Sequence, residues 1–235
     1  MKIKVVDLAY KNAGCDYLAL KRAGYMAAII DTEPDSWNMH TQGAIGAKMD
    51  VGAYVNSRAQ TVEDARVLAK KAISTMSGIP VIYPVFYVIN DPIKDKDRNT
   101  ANFKAFAEVI TAAGYKCGIL ANDSLLNDCL NKDEIIPNYH LWYIDWTQDP
   151  NNPPTHDYGQ DIWQWGIIEP DREGGYVIGN MDTPSENALS ANICYVDYHN
   201  DPPIPPDPPS NCQDTLRKIA ALLNETAALI ASLIK

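Results

Sequence analysis

The chain has 235 residues, 46% of them hydrophobic and 21% charged, and carries a formal net charge of −10. That is enough for one barrel-sized domain with an appendage, built around a packed core. The acidic balance excludes a nucleic-acid backbone as partner, because release of its counterions requires clustered Lys and Arg.

Short apolar runs alternate with helical patterns from the start. The pattern predicts strands over IKVVDLA (3–9), MAAIID (26–31), DVGAYVN (50–56), VIYPVFYVI (81–89) and KCGILAN (116–122). Between them lie predicted helices over 15–24, 38–48, 61–76 and 100–114. Asp16 and Gly24 bound the first. Thr61 and Asp64 offer a capping box for the third. After residue 122 the pattern changes. A short helix near SLLNDCL is followed by strands over HLWYIDW (140–146), DIWQWG (161–166) and YVIGNMD (176–182), separated by loops rich in Pro, Asn and Gly. Strand–helix alternation implies parallel strands with right-handed crossovers. Eight strands with few late helices suit an α/β barrel better than an open doubly wound sheet. No glycine-rich phosphate loop follows the first strand, which weakens the open-sheet reading.

Residues 202–209, PPIPPDPP, hold six prolines in eight positions. Such a run is a stiff polyproline II spacer rising about 3 Å per residue. The chain is therefore expected to consist of a barrel over 1–200, a linker over 201–211 and a helix over 212–235. In that last segment Leu216, Leu223 and Ile230 take one heptad core position and Ile219, Thr226 and Leu233 the other. Leu222 and Leu229 widen the stripe, so a homo-oligomer of three or four strands is expected. The alternative is an amphipathic helix docked on its own barrel.

Five cysteines, odd in number and without a CxxC pair, give no disulfide framework or zinc site. The histidines, His40, His140, His156 and His199, show no metal spacing. No metal and no cofactor are expected. The start, MKIKVVDLAY, shows no signal-peptide pattern, and no apolar run reaches the length of a membrane span.

The segment YPVFYVIND (83–91) ends where a barrel enzyme carries its catalytic groups. By strand alternation Pro84, Phe86, Val88 and Asn90 share one face, and Tyr83, Val85, Tyr87, Ile89 and Asp91 the other. The face that holds Val88 and Asn90 has no acid.

Several segments together resemble glycoside hydrolase family 25, the Chalaropsis-type lysozymes common among phage endolysins. They are VVDLAYKNAG, AIGAKMDVGAYVNSRAQTVEDARVLAKKAI, AEVITAAGYKCGILANDSLLN, LWYIDW, DIWQWG and VIGNMD. The resemblance spans about residues 3–200. It implies a barrel of five βα units closed by three further strands, and a groove for peptidoglycan or another cell-wall glycan. It places family acids at Asp7, at the end of strand one, and at Asp182, at the end of the last strand. It also places the family's D-x-E pair on Val88 and Asn90. Asn90 can hydrogen-bond a glycan oxygen but supplies no titrating proton, and Val88 does neither. Loss of general acid help costs about two to four orders of magnitude in rate. Val55 and Asn56 likewise stand where the family has an aromatic-rich stretch.

The resemblance therefore implies a glycan-binding or structural module without catalysis, and together with the expected oligomeric stalk it suits a phage component. Two alternatives stand beside it: an active endolysin recruiting Asp7, Asp182, Asp91 or Glu33, and a scaffold with no ligand. Candidate glycan contacts are Asp7, Tyr54, Asn90, Trp142 and Asp182. Tyr87, Trp146, Trp163 and Trp165 are further aromatic candidates, each of which alternation can equally place in the core. The expected location is the cytoplasm of the producing cell, or the virion or cell wall after release.

Overall fold

The structure is a computed structural model and describes residues 2–200. The expected linker and C-terminal helix lie outside the described residues. Nine strands form one sheet: β1 (Ile3–Leu8), β2 (Tyr25–Asp31), β3 (Asp50–Ser57), β4 (Val81–Ile89), β5 (Cys117–Asn122), β6 (His140–Ile144), β7 (Ile162–Pro170), β8 (Tyr176–Ile178) and β9 (Leu189–Cys194). β1 to β7 pair in parallel in chain order, and β9 closes the ring antiparallel to both β7 and β1. The result is a closed eight-stranded barrel. Helices α1 (Tyr17–Arg22), α2 (Pro34–Gly46), α3 (Val62–Met76) and α4 (Lys96–Ala112) follow the first four strands. A π-helical turn over Leu125–Cys129 and the short α5 (Lys132–Ile135) follow β5. This is the expected arrangement of five βα units and three closing strands.

Local signals set the helix ends. Asp16 accepts the Ala19 N–H at 2.9 Å to start α1, and Gly24 ends it at φ +87°. The Thr61–Asp64 capping box is formed in both directions. α4 begins earlier than expected, because Asp95 caps it by accepting the Arg98 N–H at 3.1 Å. α2 likewise starts at Pro34, whose fixed φ and missing N–H suit the first turn.

The barrel is filled, not hollow. Val5, Ala27, Ile29, Tyr83, Phe86, Trp142, Ile162, Cys194 and Tyr198 pack into one inner cluster. The other face of the same strands meets the helices, where Val6, Leu8, Val51, Val55, Val85, Tyr87, Phe103 and Phe106 build the larger core.

Two sequence expectations are corrected here. The segment 176–182 is not the last barrel strand. Only Tyr176–Ile178 is extended, and it pairs with β7 as a hairpin outside the ring. The closing strand is β9, LSANIC, which turns the polar Ser190 and Asn192 inward while Leu189, Ala191 and Ile193 join the outer core. The uniform alternation expected for β4 also fails. Its register against β3 shifts between Val81 and Val85, so Tyr83 packs inside the barrel with Phe86. Pro84 has no N–H to give to a ladder, so the irregularity falls there.

Candidate functional site

The C-terminal ends of the parallel strands surround one mouth. Asp7 is the penultimate residue of β1 and sits opposite Ser190 of β9. Its Oδ2 accepts two amide hydrogen bonds, from Gln164 Nε2 at 2.9 Å and Asn192 Nδ2 at 3.1 Å. Each amide is held in that sense by an indole. Trp146 Nε1 donates to Gln164 Oε1 at 3.0 Å, and Trp142 Nε1 donates to Asn192 Oδ1 at 2.8 Å. With both oxygens occupied, both amides present N–H to the carboxyl. Burial raises the Asp7 pKa, and hydrogen bonds from Asn192, Gln164 and Ser190 and the nearby Lys11 charge only partly offset it.

On the neighbouring strands the contacts run as a chain. Asp31, the last residue of β2, is 8% exposed. Its Oδ1 accepts the Glu33 N–H at 3.1 Å, and its Oδ2 accepts Asn56 Nδ2 at 2.9 Å. Asn56 Oδ1 in turn accepts Asn90 Nδ2 at 2.9 Å. The Asn90 N–H is tied to the Ser57 carbonyl at 3.0 Å. Burial raises the Asp31 pKa, with the Glu33 charge adding and the Glu33 N–H, Asn56 and Lys71 opposing. Tyr54 lies within the field of both carboxyls. Burial first, then Asp7 and Asp31, push its phenol upward.

Asp7 and Asn90 therefore do share one mouth. Val88 is half-buried and Asn90 exposed at the end of β4. Asp182 does not join them as a strand-end acid. It lies on an exposed turn between β8 and β9, with its N–H bonded to Asn180 Oδ1. The residue of the closing strand that abuts Asp7 is Ser190, a hydroxyl. Asp91 is exposed beyond β4, and Glu33 pairs with Lys71 at 3.2 Å. The aromatic candidates separate sharply. Trp142 is 1% exposed, wedged edge-on against Tyr54 and Phe86, so it supports the floor and offers no face to a ligand. Trp163, Trp165 and Tyr87 are also buried. Trp146 is 53% exposed.

Beside Trp146 a cleft of about 530 Å³ runs over the ends of β5 and β6. Asn122, Asp123, Tyr143, Asp145 and His156 line it. Asp123 is held by Tyr158 Oη at 2.5 Å, Tyr143 Oη at 3.3 Å and His156 Nδ1 at 3.1 Å. Among the described residues no group of His, Cys, Asp or Glu is arranged to hold a metal ion.

Sequence reading missed Asp31, Gln164, Ser190 and Asn192. For Asp31 a signal existed, since it ends an apolar strand just as Asp7 does. Gln164 was visible as the one polar residue inside IWQW. Asn192 and Ser190 could not be found without recognising β9.

The sequence matches the model of the family described as "Glycosyl hydrolases family 25" over residues 6–168. The chain belongs to that family. A search of curated proteins finds no match. Among solved structures, this family-25 domain resembles the modular autolysin LytC from Streptococcus pneumoniae, with 16% identity and a TM-score of 0.64 over 83% of this chain and 47% of that one. It resembles the catalytic domain of endolysin ply40 from bacteriophage P40 of Listeria monocytogenes, with 17% identity and a TM-score of 0.63 over 85% and 96%. The Cpl-1 endolysin, solved with a peptidoglycan analogue, gives 19% identity and a TM-score of 0.60 over 83% and 54%. The chain thus spans about half the length of the autolysin and of Cpl-1. No helix among the described residues is long and apolar enough to cross a membrane.

Proposed function

We propose that this family-25 barrel binds a peptidoglycan-type glycan at its mouth without cutting it. One observation carries the reading. The only two positions at which the resemblance puts the proton donor and its partner are Val88 and Asn90. Glycoside cleavage needs a proton delivered to the leaving oxygen and a second group to support the cationic centre. Neither side chain ionises, and Ser190 rather than an acid abuts Asp7 from the closing strand. The mouth still offers hydrogen-bonding groups at Asp7, Tyr54 and Asn90, and an aromatic face at Trp146. Trp142 contributes indirectly, through Asn192. Asp182 has weaker support as a contact, given its place on an exposed turn. The wild-type protein is expected to sediment with purified peptidoglycan and release no reducing ends from it, and Asp7→Ala should weaken sedimentation. Hydrolysis by the wild type that Asp7→Ala abolishes would overturn the reading.

The raised pKa of Asp7 favours one competing reading, an endolysin whose acid is Asp7. Against it stands the double amide donation to Oδ2, which favours the ionised acceptor. The stalk belongs to the proposal on sequence grounds alone. The proline run 201–211 spaces the barrel from a heptad helix over 212–235, which is proposed to join three or four copies. Light scattering should show loss of mass on truncation after Pro209, and a monomeric full-length protein would remove this part.

A further inference from the structure

We infer that Asp31 is a positioning residue that fixes the direction of the Asp31–Asn56–Asn90 hydrogen-bond chain, so that Asn90 commits one Nδ2 hydrogen to Asn56 and keeps its carbonyl oxygen free for the mouth. The three residues lie at the C-terminal ends of three adjacent strands, Asp31 last in β2, Asn56 next to last in β3 and Asn90 just past β4, and neither family resemblance nor alternation singled out the first. The argument is one of polarity. An ionised carboxylate only accepts. Asn56 must therefore turn its Nδ2 toward Asp31 Oδ2, at 2.9 Å, and its Oδ1 toward Asn90. Asn90 must answer with Nδ2, again at 2.9 Å. Flipping either amide would set oxygen against oxygen or N–H against N–H. No described residue donates to Asn90 Oδ1, and Asn90 is exposed. The backbone holds the same arrangement, since the Asn90 N–H is bonded to the Ser57 carbonyl.

The consequence is a selectivity. Where the resemblance places an acid, this chain presents a neutral acceptor that favours a ligand hydroxyl or amide N–H. An N-acetylated sugar carries both. A ligand whose nearest group is itself an acceptor, such as a carboxylate, meets the lone pairs of Oδ1 and has only the second Nδ2 hydrogen to use, so it binds there less well. This choice of ligand rests on the glycan-binding reading, whereas the direction of the chain rests on the geometry alone. The groups that face Asp31 are Glu33 at the start of α2, Lys71 on α3, Tyr54 on β3 and, beyond Tyr54, Asp7 on β1. Burial raises the Asp31 pKa. As pH falls through that value the carboxyl gains a proton, and the chain loses its fixed direction.

The test follows side-chain amides of Asn56 and Asn90 by NMR in the full-length protein, assigned with Asn56→Ala and Asn90→Ala. Both amide pairs should shift together as Asp31 is protonated, and the joint shift should persist in Asp7→Asn but vanish in Asp31→Asn. A soluble N-acetylated oligomer prepared from purified peptidoglycan is the binding probe. Asp31→Asn should weaken its binding about tenfold, the scale of one hydrogen bond. Combining it with Asn90→Ala should add little, because both act through one contact. Amide pairs that ignore Asp31, or two substitutions whose losses add in full, would overturn the inference. If the amides titrate as stated yet no oligomer binds the wild type, the chain direction stands and the glycan reading falls.

Discussion

The two sides of the mouth have been treated differently. On the β1 side, Asp7 sits in a closed set of partners drawn from β7 and β9, with two indoles behind the amides. On the β4 side, Val88 and Asn90 stand at a rim, half-buried and exposed. Removing Asp7 would strand two buried amide N–H groups, so its retention has a packing reason independent of chemistry. Nothing in the core depends on an acid at 88 or 90. On the proposed reading this barrel lacks its proton donor yet keeps its fold, and a strand-end carboxyl with a packing role is by itself poor proof of catalysis. On the proposed reading Asp7 both supports the floor and faces the ligand, whereas Asn90 acts on the ligand alone, which is why substitutions on the two sides should differ in kind.

The largest expected effect comes from restoring acids on the β4 side. Val88→Asp with Asn90→Glu should give measurable reducing-end release from purified peptidoglycan where the wild type is expected to give none, since general acid help is worth about a hundredfold or more in rate. Ser190 limits the gain, since the closing strand still lacks a carboxyl beside Asp7. No gain in a folded variant would mean that more than the proton donor is missing.

On the β1 side the effect should appear in stability. Asn192→Leu leaves the Trp142 indole N–H and one acceptor site of Asp7 unpaired in the interior. Denaturant unfolding should show a loss of about 3 kcal/mol, within the range for breaking a buried polar network. A loss below about 1 kcal/mol would show that the network is looser than its geometry indicates.

A change in pH dependence is the next effect. Because burial raises the Asp7 pKa, the folded state binds its proton more tightly than the unfolded state does. The associated stability is fully present below the unfolded pKa and is lost as pH rises through the folded one. Asp7→Asn should flatten that part of the stability curve, leaving any similar contribution from Asp31. An unchanged curve would mean that Asp7 is solvated in solution.

The smallest effects belong to the rim. Trp146→Ala should weaken glycan sedimentation about fivefold, on the order of one stacking contact. Asn90→Ala should change stability by less than about 0.5 kcal/mol, as expected for an exposed position.

The sequence by itself determined much of this protein. Alternation and capping residues set the first seven strands and the main helices, because each signal is local: Asp16, Gly24, Thr61 and Asp64 act within a few residues of themselves. The phase of Phe86, Val88 and Asn90 also followed from alternation, so the absence of an acid on that face was legible before any fold. Tertiary structure decided the rest. Which strand closes the ring depended on whether the polar residues Ser190 and Asn192 could find partners inside, and those partners, Asp7 and Trp142, lie far away in the chain. The same holds for the tryptophans. Similar in sequence pattern, Trp142 became floor and Trp146 became surface, because burial is set by what the other strands place opposite, and no local signal carries that information.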